Sequence, residues 1–126
     1  MITHDLRVIA DAILDKKGQD VVSLDLRPIG SAIADFFVIC NADSTTNVKA
    51  IADNIYEKMD AEGKKLLRSQ GEENCFWIIQ DYGNIVIHIF LTEYRKFYRL
   101  EDLWADAPKK VYLDKRPASK KTSSEK

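Results

Sequence analysis

The chain is short of the residue types on which several kinds of chemistry depend. Its 126 residues include two cysteines, Cys40 and Cys75, too few for a disulfide scaffold or a cysteine-based zinc site. Histidine is equally scarce, at His4 and His88. Asp20, Asp25 and Asp35 fall on different elements without the i, i+4 or D-x-D spacing of a metal site, so no metal is expected. The five glycines are isolated, which excludes a glycine-rich loop cradling phosphate ahead of a helix. No apolar run approaches the roughly 18 residues of a membrane span; the longest, Ile85–Leu91, contains His88. Charge of one sign is not in excess either, since 19 Lys+Arg face 20 Asp+Glu, which argues against a globally basic nucleic-acid binder. The first residues show neither a secretory nor a transit pattern. These absences lead us to expect a soluble, cytoplasmic single domain, long enough to bury about two-thirds of its unfolded surface.

What is present is unevenly spread. Residues 105–126 carry seven Lys/Arg against three Asp/Glu, so a basic tail follows an acidic body. Of twelve aromatic residues, eight fall between Phe76 and Trp104.

Apolar periodicity outlines an α/β domain over residues 1–107, a mixed β-sheet flanked by helices. Leu6, Ile9, Ala10, Ile13 and Leu14 predict a helix over 5–17, stopped by Gly18. Residues 21–26 and 36–40 read as strands, the second apolar enough to be covered on both faces. Ser44, Thr45 or Thr46 can cap a helix reaching about Met59, and residues 66–69 are a weak strand. Residues 76–81 and 84–91 form a hairpin. A two-residue turn at Tyr82-Gly83 pairs Trp77 with His88 and Ile79 with Val86. Phe76, Ile78, Gln80, Ile85, Ile87, Ile89 and Leu91 then form a core face. Trp77, Ile79, Asp81, Asn84, Val86, His88 and Phe90 form a mixed one. A last helix is expected from Glu93 to about Trp104, capped by Thr92, with Phe97, Leu100 and Leu103 in the core. The tail, 108–126, has the composition of disorder, although Val111-Tyr112-Leu113 can hold it against the body or a partner.

Little of this suits catalysis. In that register Asp81 and His88 stand four pairing positions apart, roughly 13 Å, beyond hydrogen-bond reach. His88 reads instead as half-buried, packed on Trp77 and donating one hydrogen bond. Gly30-Ser31 with Asp35 faintly resembles the Gly-Ser and paired-acid pattern of nucleotidyltransferases. With Phe36 next to that single acid, no pair of carboxylates is left for metal ions. Cys40 reads as packing, and no cofactor is expected. The positive signal is the aromatic cluster. Trp, Tyr and Arg dominate binding hot spots, and Trp77 and Trp104 are surrounded by Asp81, Tyr82, Arg95, Tyr98 and Glu101.

The stretch Trp77-Ile-Ile-Gln-Asp81-Tyr-Gly83-Asn-Ile-Val-Ile-His88, followed by Arg95-x-x-Tyr98-x-Leu100-Glu101-x-Leu103-Trp104, resembles the ribosomal silencing factor (RsfS, or Iojap) family. Asp20, Asp25, Asp35-Phe36-Phe37-Val38-Ile39, Ser44 and Val48 extend the resemblance upstream, so that it covers about residues 5–104 and leaves the tail beyond about 107 outside. Thr46, Gln80 and Asn84 depart from the residues usual at their positions. The resemblance implies a nucleotidyltransferase-like fold without the active site. It also implies a non-enzymatic translational repressor that binds ribosomal protein fourteen of the large subunit and sterically blocks joining of the small subunit when nutrients are scarce. Self-association as a homodimer when free is implied as well. We expect Trp77, Asp81, Tyr82, His88, Arg95, Tyr98, Glu101 and Trp104 to form or frame the partner site, with the basic tail touching ribosomal RNA at its periphery. The alternatives are a metal-dependent nucleotidyl-transferring enzyme using Asp20, Asp25 or Asp35, and a homodimeric scaffold.

Overall fold

Apolar spacing dictates the two long helices. The structure, a computed structural model, describes residues 2–30 and 33–113. Helix α1 (Ile2–Asp15) buries Leu6, Ile9, Ala10 and Ile13 on one stripe. It ends where Lys17 takes the left-handed conformation, φ 63°. Gly18 is required next to it for a different reason, because a Cβ there would lie 2.2 Å from Ile13 Cγ2. Helix α2 (Thr45–Ala61) starts at Ser44, whose Oγ accepts the Asn47 N–H at 3.1 Å, and it buries Val48, Ile51, Ala52, Ile55 and Met59.

Both helices cover one face of a six-stranded sheet. Its strands are β1 (Gln19–Asp25), β2 (Phe36–Ala42), β3 (Arg68–Gln70), β4 (Trp77–Asp81), β5 (Ile85–Leu91) and β6 (Lys109–Tyr112), in the order β3-β4-β5-β2-β1-β6. Only the central β2–β5 pair is parallel, so the sheet is mixed, as expected. Every residue of β2 and β5 is buried, because both faces are covered. Gln80 stands within the α2 side of this core and donates from Nε2 to the Ala52 carbonyl at 3.0 Å, tying helix to sheet. On the opposite face Val22, Leu24, Phe37, Ile39, Val86 and Phe90 form a second core. It is closed by α3 (Thr92–Tyr98), α4 (Leu100–Leu103) and Ala107.

Four expectations are corrected. The hairpin turn is Gly83-Asn84, one residue later than read. Trp77 therefore faces Phe90, Ile79 faces His88 and Asp81 faces Val86. Gly83, at φ 92°, suits the first central position of a type II′ turn, and Asp81 Oδ1 accepts its N–H at 2.8 Å. The slide is by two pairing positions, so the strand residues keep their faces, while Phe76 and Asn84 fall outside the strands. Asp81 and His88 come to two positions apart instead of four.

The last helix is not continuous. Arg99 is left-handed (φ 50°, ψ 50°) and separates α3 from α4. The bend lets Glu101 reach back to Arg95 and lets Trp104 turn onto the sheet. Leu91, not Thr92, stands at the N-cap of α3, and the Thr92 hydroxyl donates instead to Asp43 at 2.6 Å.

The tail also begins later than expected. Residues 109–112 pair with β1 as an edge strand. The alternation places Tyr112 in the core, its hydroxyl 3.1 Å from that of Ser23. Residues 114–126 lie outside the described residues.

Candidate partner-binding site

The second face of the sheet gathers the aromatic residues into one connected ridge. Trp77 stacks on Phe90, its partner across the ladder, with ring centroids 4.8 Å apart, and meets Tyr98 of α3 at 4.9 Å. Tyr98 continues to Tyr94 at 6.3 Å, and Tyr94 stacks on Phe76 at 4.9 Å. In the other direction His88 meets Phe37 edge-on at 4.7 Å, and Phe37 meets Trp104 at 5.7 Å. Such pairs are worth about 0.5–1.5 kcal/mol each beyond burial, so the ridge holds its own shape.

His88 and Trp77 are joined by a hydrogen bond. The indole Nε1–H donates to His88 Nδ1 at 3.1 Å. The imidazole is thus the acceptor, not the donor expected, because an indole nitrogen can only donate. The ring is buried instead of half-buried, at 6% exposure. Burial pushes its pKa down to about 4, so it stays neutral with its proton on Nε2. That nitrogen has no partner among the described residues.

Arg95 and Glu101 bind each other. Arg95 Nε and Nη2 donate to the two Glu101 oxygens at 3.1 and 2.8 Å, the bidentate geometry of a strong ion pair. Nη1 donates to the Asp20 carbonyl at 2.6 Å and to Asn41 Oδ1 at 2.8 Å. The Arg95 side chain is 11% exposed, so its guanidinium is spent inside the fold, clamping the α3–α4 bend to β1 and β2.

The other expected residues divide. Tyr98 is exposed and Trp104 partly so. Asp81 holds the hairpin turn. Tyr82 is not brought to the ridge: it packs on the α1–α2 side of the sheet, where burial, with Tyr56 and Asp60 nearby, pushes its hydroxyl up to about 12.

The largest surprise is in residues assigned to the core. Phe97 is 78% and Leu103 74% exposed, and neither short helix has a buried residue. Leu100 alone of that trio packs on the second core. Phe76, also expected inside, lies at the surface on Tyr94. The available signal was crowding: Tyr94, Phe97 and Tyr98 on one seven-residue helix exceed what so short a contact can bury.

Elsewhere the chemistry is sparse. Among the described residues no three His, Cys, Asp or Glu side chains converge as metal ligands. The Asp25 carboxyl is held below the usual range by its hydrogen bond from Arg27. Asp35 joins β2 to its neighbours through its main chain, and Ser31 lies outside the described residues. Cys40 is fully buried, which pushes its thiol up to about 12. No described helix is long and apolar enough to cross a membrane.

Comparison with known proteins extends these observations. Residues 2–126 match the family described as "Ribosomal silencing factor during starvation" (RsfS), so the match runs past residue 107, where the resemblance was expected to stop. The chain is 40% identical over 103 residues to the ribosomal silencing factor RsfS of Halalkalibacterium halodurans, covering 82% of this chain and 87% of that one. It is 38% identical over 103 residues to RsfS of Bacillus subtilis, covering 82% and 86%. A crystal structure of a Chromobacterium violaceum protein superposes with a TM-score of 0.80 at 26% identity, over 90% of this chain and 94% of that one. With its mixed sheet, flanking helices and matching sequence, the chain belongs to the ribosomal silencing factor RsfS family.

Proposed function

We propose that the protein is a ribosome-associated translational repressor. In this reading it binds the large subunit through ribosomal protein fourteen and, by occupying that site, keeps the small subunit from joining when nutrients are scarce. Family membership supports the general role. The single observation that carries the binding mode is the ridge on the second sheet face, with Phe97 exposed against Tyr98 and Leu103 exposed on α4. Large apolar side chains exposed next to half-buried tryptophans are the composition of a hot spot, where one truncation costs about 2 kcal/mol or more. Repression by occupancy requires no reaction, so the protein acts as a regulator and not as an enzyme.

The proposal gives the eight expected residues different duties. Trp77, Tyr98 and Trp104, joined by Phe97 and Leu103, make the contact. His88, Arg95 and Glu101 hold those residues in place, and Asp81 shapes the turn beside them. Tyr82 supports the hairpin from the other side. The acidic body complements a basic ribosomal protein, which favours encounter and orientation. The free protein is proposed to dimerise in the cytoplasm. The RNA contact expected of the tail falls on residues outside those described.

The test is co-sedimentation with purified large subunits at physiological salt. Migration with the subunit is expected, lost when ribosomal protein fourteen is absent from it. A protein that remains at the top of the gradient contradicts the proposal.

A further inference from the structure

An open cleft of ≈ 740 Å³ lies on the sheet face opposite the ridge, between the first half of α1 and the β1–β6 edge. Its charge is out of keeping with a chain of net charge −1. Arg7, Arg27, Lys109 and Lys110 line it against one carboxylate, Asp25. Two aromatic rings set the cations in position. Arg7 Cζ and Lys110 Nζ lie 5.5 and 5.1 Å from the Tyr112 ring centroid, and Arg27 Cζ lies 4.7 Å from that of Phe36. Each arginine gives Nε and Nη2 to a carboxylate on its own element or loop, Asp11 or Asp25, which leaves Nη1 for another acceptor. Lys109 and Lys110 make no ion pair among the described residues.

We propose that this cleft binds the phosphate backbone of RNA. The cations are spread over a helix, a loop and an edge strand instead of converging on one point, which suits a chain of phosphates better than a single anion. Of the large apolar residues of its wall, Leu6, Phe36 and Tyr112 are buried and only Ile2 is partly exposed, so it offers a protein partner no aromatic hot spot. Residues 114–126, which follow Leu113 in sequence, carry five Lys/Arg against two Asp/Glu. The site shares none of the ridge's aromatic or exposed apolar residues and uses a different chemistry; Lys109 also lines the cleft beside Arg95 and Glu101 on the other face, so Lys110 is the residue that separates the two sites.

Fluorescence anisotropy of the full-length protein with a labelled single-stranded RNA of ~20 nucleotides, across about 50–200 mM salt, tests this. The charge reversal Lys109→Glu with Lys110→Glu is expected to weaken binding by on the order of tenfold. It should also flatten the log–log salt slope by about 1.4, at ~0.7 for each single-strand phosphate contact. Lys109→Arg with Lys110→Arg should restore both. If the reversal disturbs β6, Lys110→Gln alone should still weaken binding severalfold with the melting temperature unchanged. The proposal is overturned by wild-type protein that leaves RNA unbound at low salt. It is equally overturned by unchanged affinity in the reversal variant while Gln at Lys115, Arg116, Lys120 and Lys121 abolishes binding, or by poly-glutamate competing as well as RNA.

Discussion

The two faces of the sheet each carry an apolar core but are closed in opposite ways. Under α1 and α2, Ile9, Ile13, Ile51, Ile55, Ile87 and Ile89 have no accessible surface, and two long helices leave nothing apolar to add. The other face receives helices of seven and four residues. They cover Phe37 and Phe90 but leave Phe97 and Leu103 outside and Trp77 half covered. A sealed face offers a partner no apolar surface, and what it adds beyond stability is the charged cleft at its edge. An incompletely sealed one, held rigid by ring contacts and the Arg95 clamp, keeps apolar surface available without collapsing onto it.

Substitutions that separate the faces give the sharpest checks. Ile55→Ala, in the sealed core, is expected to cost about 2–5 kcal/mol of unfolding free energy by urea denaturation. Its affinity for the large subunit per folded molecule should not change. A change in affinity would mean the faces are coupled. On the ridge side, acidification should act through His88. Burial holds its pKa near 4 against an ordinary 6.5, so the unfolded chain takes up the proton first as pH falls. Its contribution is therefore whole above about 6.5 and is lost between there and 4, by on the order of 3 kcal/mol. His88→Gln should reduce that decline in denaturation curves measured across the window. A smaller effect, about 2 kcal/mol and confined to binding, is expected for Phe97→Ser with Leu103→Ser. Their exposure should keep the change in stability within about 0.5 kcal/mol. A large loss of stability would place those residues in the core after all.

The same contrast explains what was legible in the sequence. The stripes of α1 and α2, the buried runs of β2 and β5 and the two hairpin faces follow from local apolar spacing. Trp77, Tyr98 and Trp104 were recognisable as a cluster because their residue types are unusual together. Register was not fixed, since a slide of two positions leaves every side chain on its own face. Only Gly83's positive φ and the Asp81 hydrogen bond select the turn. The break at Arg99 depends on Arg95 reaching Asp20 and Asn41, contacts between residues far apart in sequence. Strand β6, four residues with two lysines, gains its place only by pairing with β1 and burying Tyr112. Tyr82 was assigned to the ridge on proximity in sequence, and its direction changes with the turn it adjoins.

The most direct test of repression by occupancy is a joining assay with purified large and small subunits. Large subunits are mixed first with the protein and then with small subunits, and the joined fraction is read on a gradient. The expected result is a joined fraction that falls with added wild-type protein and recovers with Phe97→Ser/Leu103→Ser. Full joining in the presence of saturating wild-type protein, or equal repression by the ridge variant, would contradict it.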